Sequence, residues 1–439
     1  MRALLFAAAL MTAFPAFAQT PPPRETVEAV AGRIRDLYFD PAAGDRIADG
    51  LEAESAAGAF DSLTDPRDLA AALSRRLRPL DAHFNVAFDP NAPAGPPPGP
   101  QRVVRTPGSP PPSGAAGEPA RRRPPVNPME ARGHYGFRKV EILPGNIGYI
   151  DLRQFSNIDF ENPADPARRA ADAALAFVAD ADAVIFDLRD NGGGAPSMVG
   201  YLTSAFTPAN APIYNIFHSR EGTESEAPAV FYPAPRLDVP LYVLISGRTG
   251  SAGEAFPYTL QGAGRATIVG EASGGAANPG GMVPVGGGFA VFISQGSPKN
   301  PVTGRNWEGT GVLPDVAVPW DQALTRAQTL ALEAIVARDG GRNDAAWALQ
   351  ALNSTTAAGD LAPYAGAYGE QIVSVVGDRL QIARGRRPPV LLARLDGDLF
   401  TVVGDPGRRV QFSRDEAGRV VTMDSLNLGG PGPRARRTD

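Results

Sequence analysis

The residues of this chain that could do chemistry stand at turns, beside glycines. Ser251 lies in Gly247-Arg248-Thr249-Gly250-Ser251-Ala252-Gly253-Glu254, directly after the apolar run Leu241 to Ile245 and before a helix-like segment. A buried strand that turns sharply into a helix sets a serine hydroxyl among unpaired backbone N–H groups at the positive end of the helix dipole. Such a place stabilises charge that develops on a neighbouring oxygen, which suits a nucleophile. The same spacing, Ser251-x-x-Glu254, is also a capping box, in which the serine only closes the first helical turn.

A nucleophilic serine needs a base. The chain has three histidines and no cysteine, which excludes disulfides, thiol nucleophiles and cysteine-held metals. His83, in Asp81-Ala82-His83-Phe84, sits where a helical period gives way to the alternating Phe84, Val86, Phe88 pattern of a strand. A lone histidine there reads equally well as structural or merely exposed. His134 follows a proline-rich stretch and His218 precedes Glu221 and Glu224 in a polar segment, so both compete poorly. Glu308, in Asn306-Trp307-Glu308-Gly309, is a loop carboxylate between an aromatic residue and glycine; its default reading is a surface acid. Asn191-Gly192-Gly193-Gly194 follows another apolar run, and three glycines let the backbone turn tightly with N–H groups open to an anionic oxygen. The loop fits neither the dinucleotide fingerprint nor the Walker pattern, and a plain tight turn is the alternative.

These loops need a frame. At 439 residues with 43% hydrophobic content the chain can hold two or three domains with a sizeable core. A formal net charge of −5 gives no pull toward nucleic acid. Residues 1–18 read as a secretory signal: Arg2, an apolar stretch, then Ala16-Phe17-Ala18 before Gln19. No later run approaches the ~20 apolar residues of a membrane span, so the chain reads as a soluble exported protein, periplasmic or secreted. Residues 23–90 carry helical spacing, with Val27, Val30, Ile34 and then Leu69, Leu73, Leu77. Residues 91–127 are dominated by proline, glycine and alanine, around the basic knot Arg121-Arg122-Arg123, and predict a disordered linker.

From residue 128 to 338 helix and strand signals alternate, which predicts an α/β layer fold. A hairpin around Val140 to Ile142 and Ile147 to Leu152 leads into a helix over Pro166 to Val178. Then come a strand over Ala183 to Arg189, a helix over Met198 to Phe206, the Ser251 junction, strands over Ala266 to Gly270 and Phe289 to Ile293, and a closing helix over Asp321 to Arg338. Gly274 to Gly281 reads as a loop over a site. Residues 360–428 show short strands at turn-like intervals, a small antiparallel β domain without an ionisable cluster, and Arg434 to Arg437 reads as a frayed tail.

Three motifs in order, Phe186-Asp187-Leu188-Arg189-Asp190-Asn191-Gly192-Gly193-Gly194, then Thr249-Gly250-Ser251-Ala252-Gly253-Glu254, then Gly270-Glu271-Ala272-Ser273-Gly274-Gly275, resemble the tail-specific, or C-terminal processing, serine peptidases over roughly residues 24 to 338. The resemblance implies a crotonase-like spiral of ββα units for the core and Ser251 as nucleophile. One branch of that family activates its serine with a lysine in the loop filled here by Gly274 to Gly281. This chain has only Lys139 and Lys299, and neither matches. The branch similar to the tricorn protease core and the interphotoreceptor retinoid-binding protein repeats uses a histidine and a glutamate, matched here by His83 and by Glu308 in Trp307-Glu308-Gly309. There the glutamate acts through a serine beside the histidine, but the neighbour here is Ala82. Glu308 must then act through another hydroxyl or a water, or Asp81 takes its place. Many relatives carry a peptide-binding PDZ domain before the core, for which the proline-rich stretch leaves no ordered room.

The resemblance thus implies an exported serine endopeptidase acting on a peptide or protein substrate, with Ser251, His83 and Glu308 as its catalytic residues. Backbone N–H groups of Ala252 and of Gly192 or Gly193 would form the oxyanion hole. No metal and no cofactor is needed. Two rivals use the same fold: a non-catalytic binding protein for an apolar ligand, and an acyl-ester hydrolase. Oligomeric state is not legible in the sequence.

Overall fold

The computed structural model describes residues 21–91, 128–354 and 359–439. The expected signal segment 1–18 lies outside the described residues, as does the expected linker beyond Asn91. The chain separates into two compact units. Among the described residues the first comprises 21–91, His218–Thr223 and Asn278–Ser297, and the second 128–217, Glu224–Ala277, 298–354 and 359–439.

In the first unit, helices span Pro23–Leu37, Pro41–Ala56 and Pro66–Leu77. The last two begin with Asp-Pro. Asp40 accepts from the Ala43 N–H (3.1 Å) and Asp65 from the Arg67 N–H (2.8 Å), while proline fills the first helical position, where a missing N–H costs nothing. Val27, Val30, Ile34, Leu69, Leu73 and Leu77 are buried, as their three- and four-residue spacing requires. They share a core with Phe84, Val86, Phe289, Val291 and Ile293. The last four belong to an antiparallel sheet of Val86–Phe88, Phe289–Ser294 and Gly280–Gly286. The glycine-rich stretch expected to be loop as far as Gly281 therefore becomes strand at Gly280.

The second unit is built on a six-stranded sheet in the order Val316–Ala317, Thr267–Gly270, Leu241–Ile245, Ala183–Asp187, Ile147–Leu152, Phe137–Leu143. All neighbours are parallel except the final hairpin. Along each strand the residues alternate between two cores. Val184, Phe186, Val243 and Ile245 face the side of helices Pro166–Phe177, Pro196–Ser204 and Ala252–Gly262, while Ile185, Tyr242 and Leu244 face the side of Ala323–Arg338 and Asn343–Leu352. Burial on both faces is why these strands read as continuous apolar runs rather than alternating ones. Because the three central strands are parallel, the loops after Asp187, Ile245 and Gly270 leave the sheet on one edge, where open α/β sheets hold their sites.

Residues 366–436 form an eight-stranded antiparallel meander around its own core of Tyr364, Tyr368, Phe400 and Phe412. A bridge between Tyr368 and Arg437 joins its two ends, and the Thr438 N–H donates to the Ala367 carbonyl (2.9 Å), so the sheet closes like a barrel and hides its edges. The expectation of a frayed tail at Arg434 to Arg437 is corrected here. Gly430–Arg436 is the last strand, paired with Val420–Asn427 and tied by Arg434 to Asp424 at 2.6 Å. The expectation of no ionisable cluster fails too, since Asp398 accepts from the Tyr364 hydroxyl (2.5 Å) and from Arg414 (3.0 Å).

Candidate active site

Ser251 sits where the buried strand Leu241–Ile245 gives way to the helix Ala252–Gly262. Its backbone has φ 54° and ψ −123°, a region a side-chain-bearing residue enters at a cost of about 1–3 kcal/mol. The surrounding bonds enforce it. The Ser246 hydroxyl donates to the Arg189 carbonyl (2.5 Å), the Thr249 hydroxyl to the Leu188 carbonyl (2.7 Å), and the Gly250 N–H to the Asn191 carbonyl (3.0 Å). The loop carrying Ser251 is thereby stitched to the Asn191-Gly192-Gly193 loop of the neighbouring strand. Ser251 is exposed, while Ala252 to Phe256 behind it are buried.

Glu254 is the acid of the capping box. The Glu254 carboxylate accepts the Ser251 N–H (2.7 Å), and the Glu254 N–H bonds to the Ser251 carbonyl (2.8 Å), with Ser251 and Glu254 paired as a capping box. Glu254 does more than cap. It is fully buried, and it also accepts the Ser273 hydroxyl (2.5 Å) and the N–H groups of Gly275 (2.7 Å) and Ala276 (2.9 Å). The Ser273 oxygen in turn accepts from the Val312 N–H (2.6 Å), the Gly309 N–H donates to the Gly275 carbonyl (2.8 Å), and the Glu308 carboxylate accepts the Ala277 N–H (2.7 Å). All three sequence motifs and the Glu308 loop form one network in the second unit, with Glu254 at its centre. The capping-box spacing pointed to Glu254, but local spacing accounts for only one of its four partners. Lys139 is held by Glu141 on the edge strand (2.5 Å) and Lys299 ends a short strand; neither enters this network.

Gly193 is packed against the serine. A β-carbon added there would lie 2.8 Å from Ser251 Cβ and 3.3 Å from the Ala252 nitrogen, at a φ of 119°, so the position admits only glycine. The Gly193 N–H donates to Asn191 Oδ1 (2.9 Å), and Asn191 Nδ2 to the Leu152 carbonyl (2.9 Å). Gly192, by contrast, is exposed to open space. Ala252 opens the helix, where an N–H has no intrahelical acceptor. Beside the glycines lies a pocket of about 270 Å³ lined by Arg153, Gln154 and Gly192 to Gly194.

His83 and Asp81 belong to the first unit. The His83 backbone N–H donates to Asp81 Oδ1 (2.9 Å), and His83 Nδ1 lies 3.5 Å from the same oxygen. Asp81 Oδ2 accepts from the Tyr38 hydroxyl (3.2 Å) and from Asn278 Nδ2 (3.3 Å). The imidazole stacks on Phe292 with ring centres 5.6 Å apart. Burial pushes the Asp81 carboxyl up, but hydrogen bonds from His83 and Ser294 outweigh it and hold the group at about 2, so Asp81 is ionised at neutral pH. Within either unit taken alone, no three histidine, aspartate or glutamate side chains gather as a metal site among the described residues.

Residues 146–318 match the sequence model of peptidase family S41. The matched span contains Gly192, Gly193, Ser251, Ala252 and Glu308, and not His83 or Asp81. The carboxyl-terminal-processing protease of Synechocystis is 33% identical over 129 residues, 29% of this chain and 28% of that one. The chloroplastic carboxyl-terminal-processing peptidase 1 of Arabidopsis thaliana is 25% identical over 194 residues, 44% of this chain and 38% of that one. A solved photosystem II D1 C-terminal processing protease is 21% identical, with a TM-score of 0.32 over 39% of this chain and 42% of that one. The chain spans 28% and 38% of the length of these two curated relatives.

Proposed function

From the match of residues 146–318 to peptidase family S41, we propose that this chain is a serine endopeptidase with Ser251 as its nucleophile. The observation that carries the reading is the backbone of Ser251: an exposed serine held at φ 54° on a strand-to-helix turn. Strain of that kind persists where the surroundings over-determine it, and it aims the oxygen outward at the start of a helix.

The Ser251 oxygen attacks the peptide carbonyl while its proton passes to His83. The oxyanion forms beside the N–H groups of Ala252 and Gly192. Gly193, whose N–H is already taken by Asn191, serves by its lack of a side chain. The tetrahedral intermediate expels the amine, which takes the proton from His83, and water then releases the acyl group by the same steps. The role of His83 rests on the sequence resemblance. For the acid that holds its ring, the 3.5 Å approach of ionised Asp81 to Nδ1 favours Asp81, with Glu308 shaping the loop over the serine. The proposal further includes a crotonase-like core, export, a peptide or protein substrate, and no cofactor.

The test is labelling with a serine-directed fluorophosphonate across about pH 6 to 9, the range in which a histidine base works, followed by mapping of the modified peptide. Ser251 carries the label if the reading is right. A folded protein that takes no label at any of these pH values points instead to a binding protein on the same frame.

A further inference from the structure

A groove of about 420 Å³ lies within the first unit, between the helix Pro66–Leu77 and the strand Val86–Phe88. Arg67, Arg75 and Arg78 line it from the side of the helix, Val86 and Phe88 from the strand, and no acidic residue lines it among the described residues. All three arginines are exposed. None of them has a carboxylate partner among the described residues, whereas Arg76 on the same helix pairs with Glu54 at 2.7 Å.

The strand has an open edge. It pairs with Phe289–Ser294 on one side and with no described strand on the other. The Phe292 N–H donates to the Asn85 carbonyl (2.8 Å) and the Asp89 N–H to the Gly288 carbonyl (2.8 Å), so Val86 and Phe88 turn their backbone groups away from that partner. At Val86 the helix closes the edge, since the Val86 N–H donates to Ser74 Oγ (2.8 Å) and the Ser74 hydroxyl donates to the Val86 carbonyl (3.1 Å). At Phe88 nothing does. Its N–H and C=O point to the same side as those of Val86, the side of the groove that Phe88 lines, and they have no partner among the described residues.

We propose that this groove binds an extended acidic segment of another polypeptide, its main chain pairing with Phe88 and its carboxylates meeting Arg67, Arg75 and Arg78. A phosphate group would suit the arginines but leave the Phe88 carbonyl without a donor, while a peptide main chain brings both donor and acceptor. The lengths also agree. Arg67 and Arg78 stand roughly 16 Å apart along the helix axis at about 1.5 Å per residue, and three acids at alternate positions of an extended segment span about 14 Å. Residues 92–127, which follow the strand, carry five arginines against one glutamate, so the charge of the chain's own next segment opposes the groove. What the groove binds does not depend on the role of Ser251.

The experiment is calorimetric titration at low ionic strength of the full chain carrying Ser251→Ala, which leaves the probe uncut. The probes are acetyl-Glu-Val-Glu-Val-Glu-amide and its counterpart with three glutamines. The acidic peptide binds one to one and the glutamine peptide about tenfold or more weakly, because each of three exposed charge pairs contributes about two- to fivefold. Arg67→Gln and Arg75→Gln remove no ion pair from the fold; each weakens binding of the acidic peptide by about two- to fivefold, and the two together by roughly the product. Equal affinity for the two peptides, undiminished binding by the double variant, or no binding of either peptide overturns the proposal. So does an oligothymidylate that binds more tightly than the acidic peptide and loses affinity in the double variant, which would give the groove to phosphates.

Discussion

Ser251 spends conformational energy on its position, and that can be measured apart from its chemistry. Glycine occupies φ 54° without the penalty a side chain incurs there. Ser251→Gly is therefore expected to raise thermal stability by about 1 kcal/mol while abolishing fluorophosphonate labelling and peptide cleavage. A Ser251→Gly variant less stable than the parent would show that the hydroxyl, not the loop, holds the turn, and the capping reading would then stand alone. The acid behind the base is separable in the same way. Asp81→Asn should lower kcat by about 10²–10⁴-fold with little change in KM, the pattern of a residue that orients a catalytic histidine, while Glu308→Gln has the smaller effect. The reverse order returns the orienting role to Glu308. Ser251 stood out by residue type and glycine context, whereas His83 and Glu308 were singled out only by the family resemblance. The centrality of Glu254 did not stand out, because three of its four donors come from elsewhere: Ser273, Gly275 and Ala276 are brought to it only by parallel strand pairing.

At the scale of elements, the parallel strands were legible because burial on both faces leaves an unbroken apolar run such as Leu241 to Ile245. The strands at Gly280–Gly286 and Gly430–Arg436 were hidden because glycine and proline mask the alternation that marks a strand, and only pairing with Phe289–Ser294 and Val420–Asn427 orders them. The helix carrying Ser251 has a further support that no pattern announced. Buried Glu226 accepts from Asn215 Nδ2 (2.7 Å), and Asn215 Nδ2 also reaches the Thr259 hydroxyl on that helix (3.0 Å). Burial pushes the Glu226 carboxyl up from its ordinary 4.5 to about 8, against the smaller opposing effect of the Asn215 hydrogen bond. The folded chain thus keeps a proton that the unfolded chain gives up above pH 4.5. The contribution of Glu226 to stability is complete below that pH and is lost as the pH climbs toward 8, by up to about 1.4 kcal/mol per unit. Glu226→Gln carries no proton to lose. Its stability measured by denaturant unfolding between pH 5 and 8 should fall less steeply than the parent's; parallel profiles would mean that Glu226 ionises normally in the folded state.

For the whole molecule, local patterns read the order of segments but not which segments fold together. Residues 278–297 follow the Ser251 helix in sequence, yet they complete the sheet of the first unit by pairing with Val86–Phe88. Nothing in Phe289 to Ile293 names that partner, since an apolar strand fits any open edge. The C-terminal sheet is the opposite case: its strands pair in sequence order and close on themselves around Tyr364, Tyr368, Phe400 and Phe412. That self-sufficiency makes it removable. A chain ending at Asp360 loses no member of the two cores that face the parallel sheet, although it uncovers Trp347, on which Arg409 stacks. It should still unfold in one cooperative transition, with Tm lowered by roughly 2–4 °C for each kcal/mol of lost packing. Fluorophosphonate labelling of Ser251 should persist at close to the parental rate, because every bond that shapes the Ser251 loop lies within residues 188–312. A truncated chain that melts without a transition would show that the barrel is part of the folding unit. One that labels normally but no longer degrades an unfolded protein substrate would place the grip on the substrate in the C-terminal sheet.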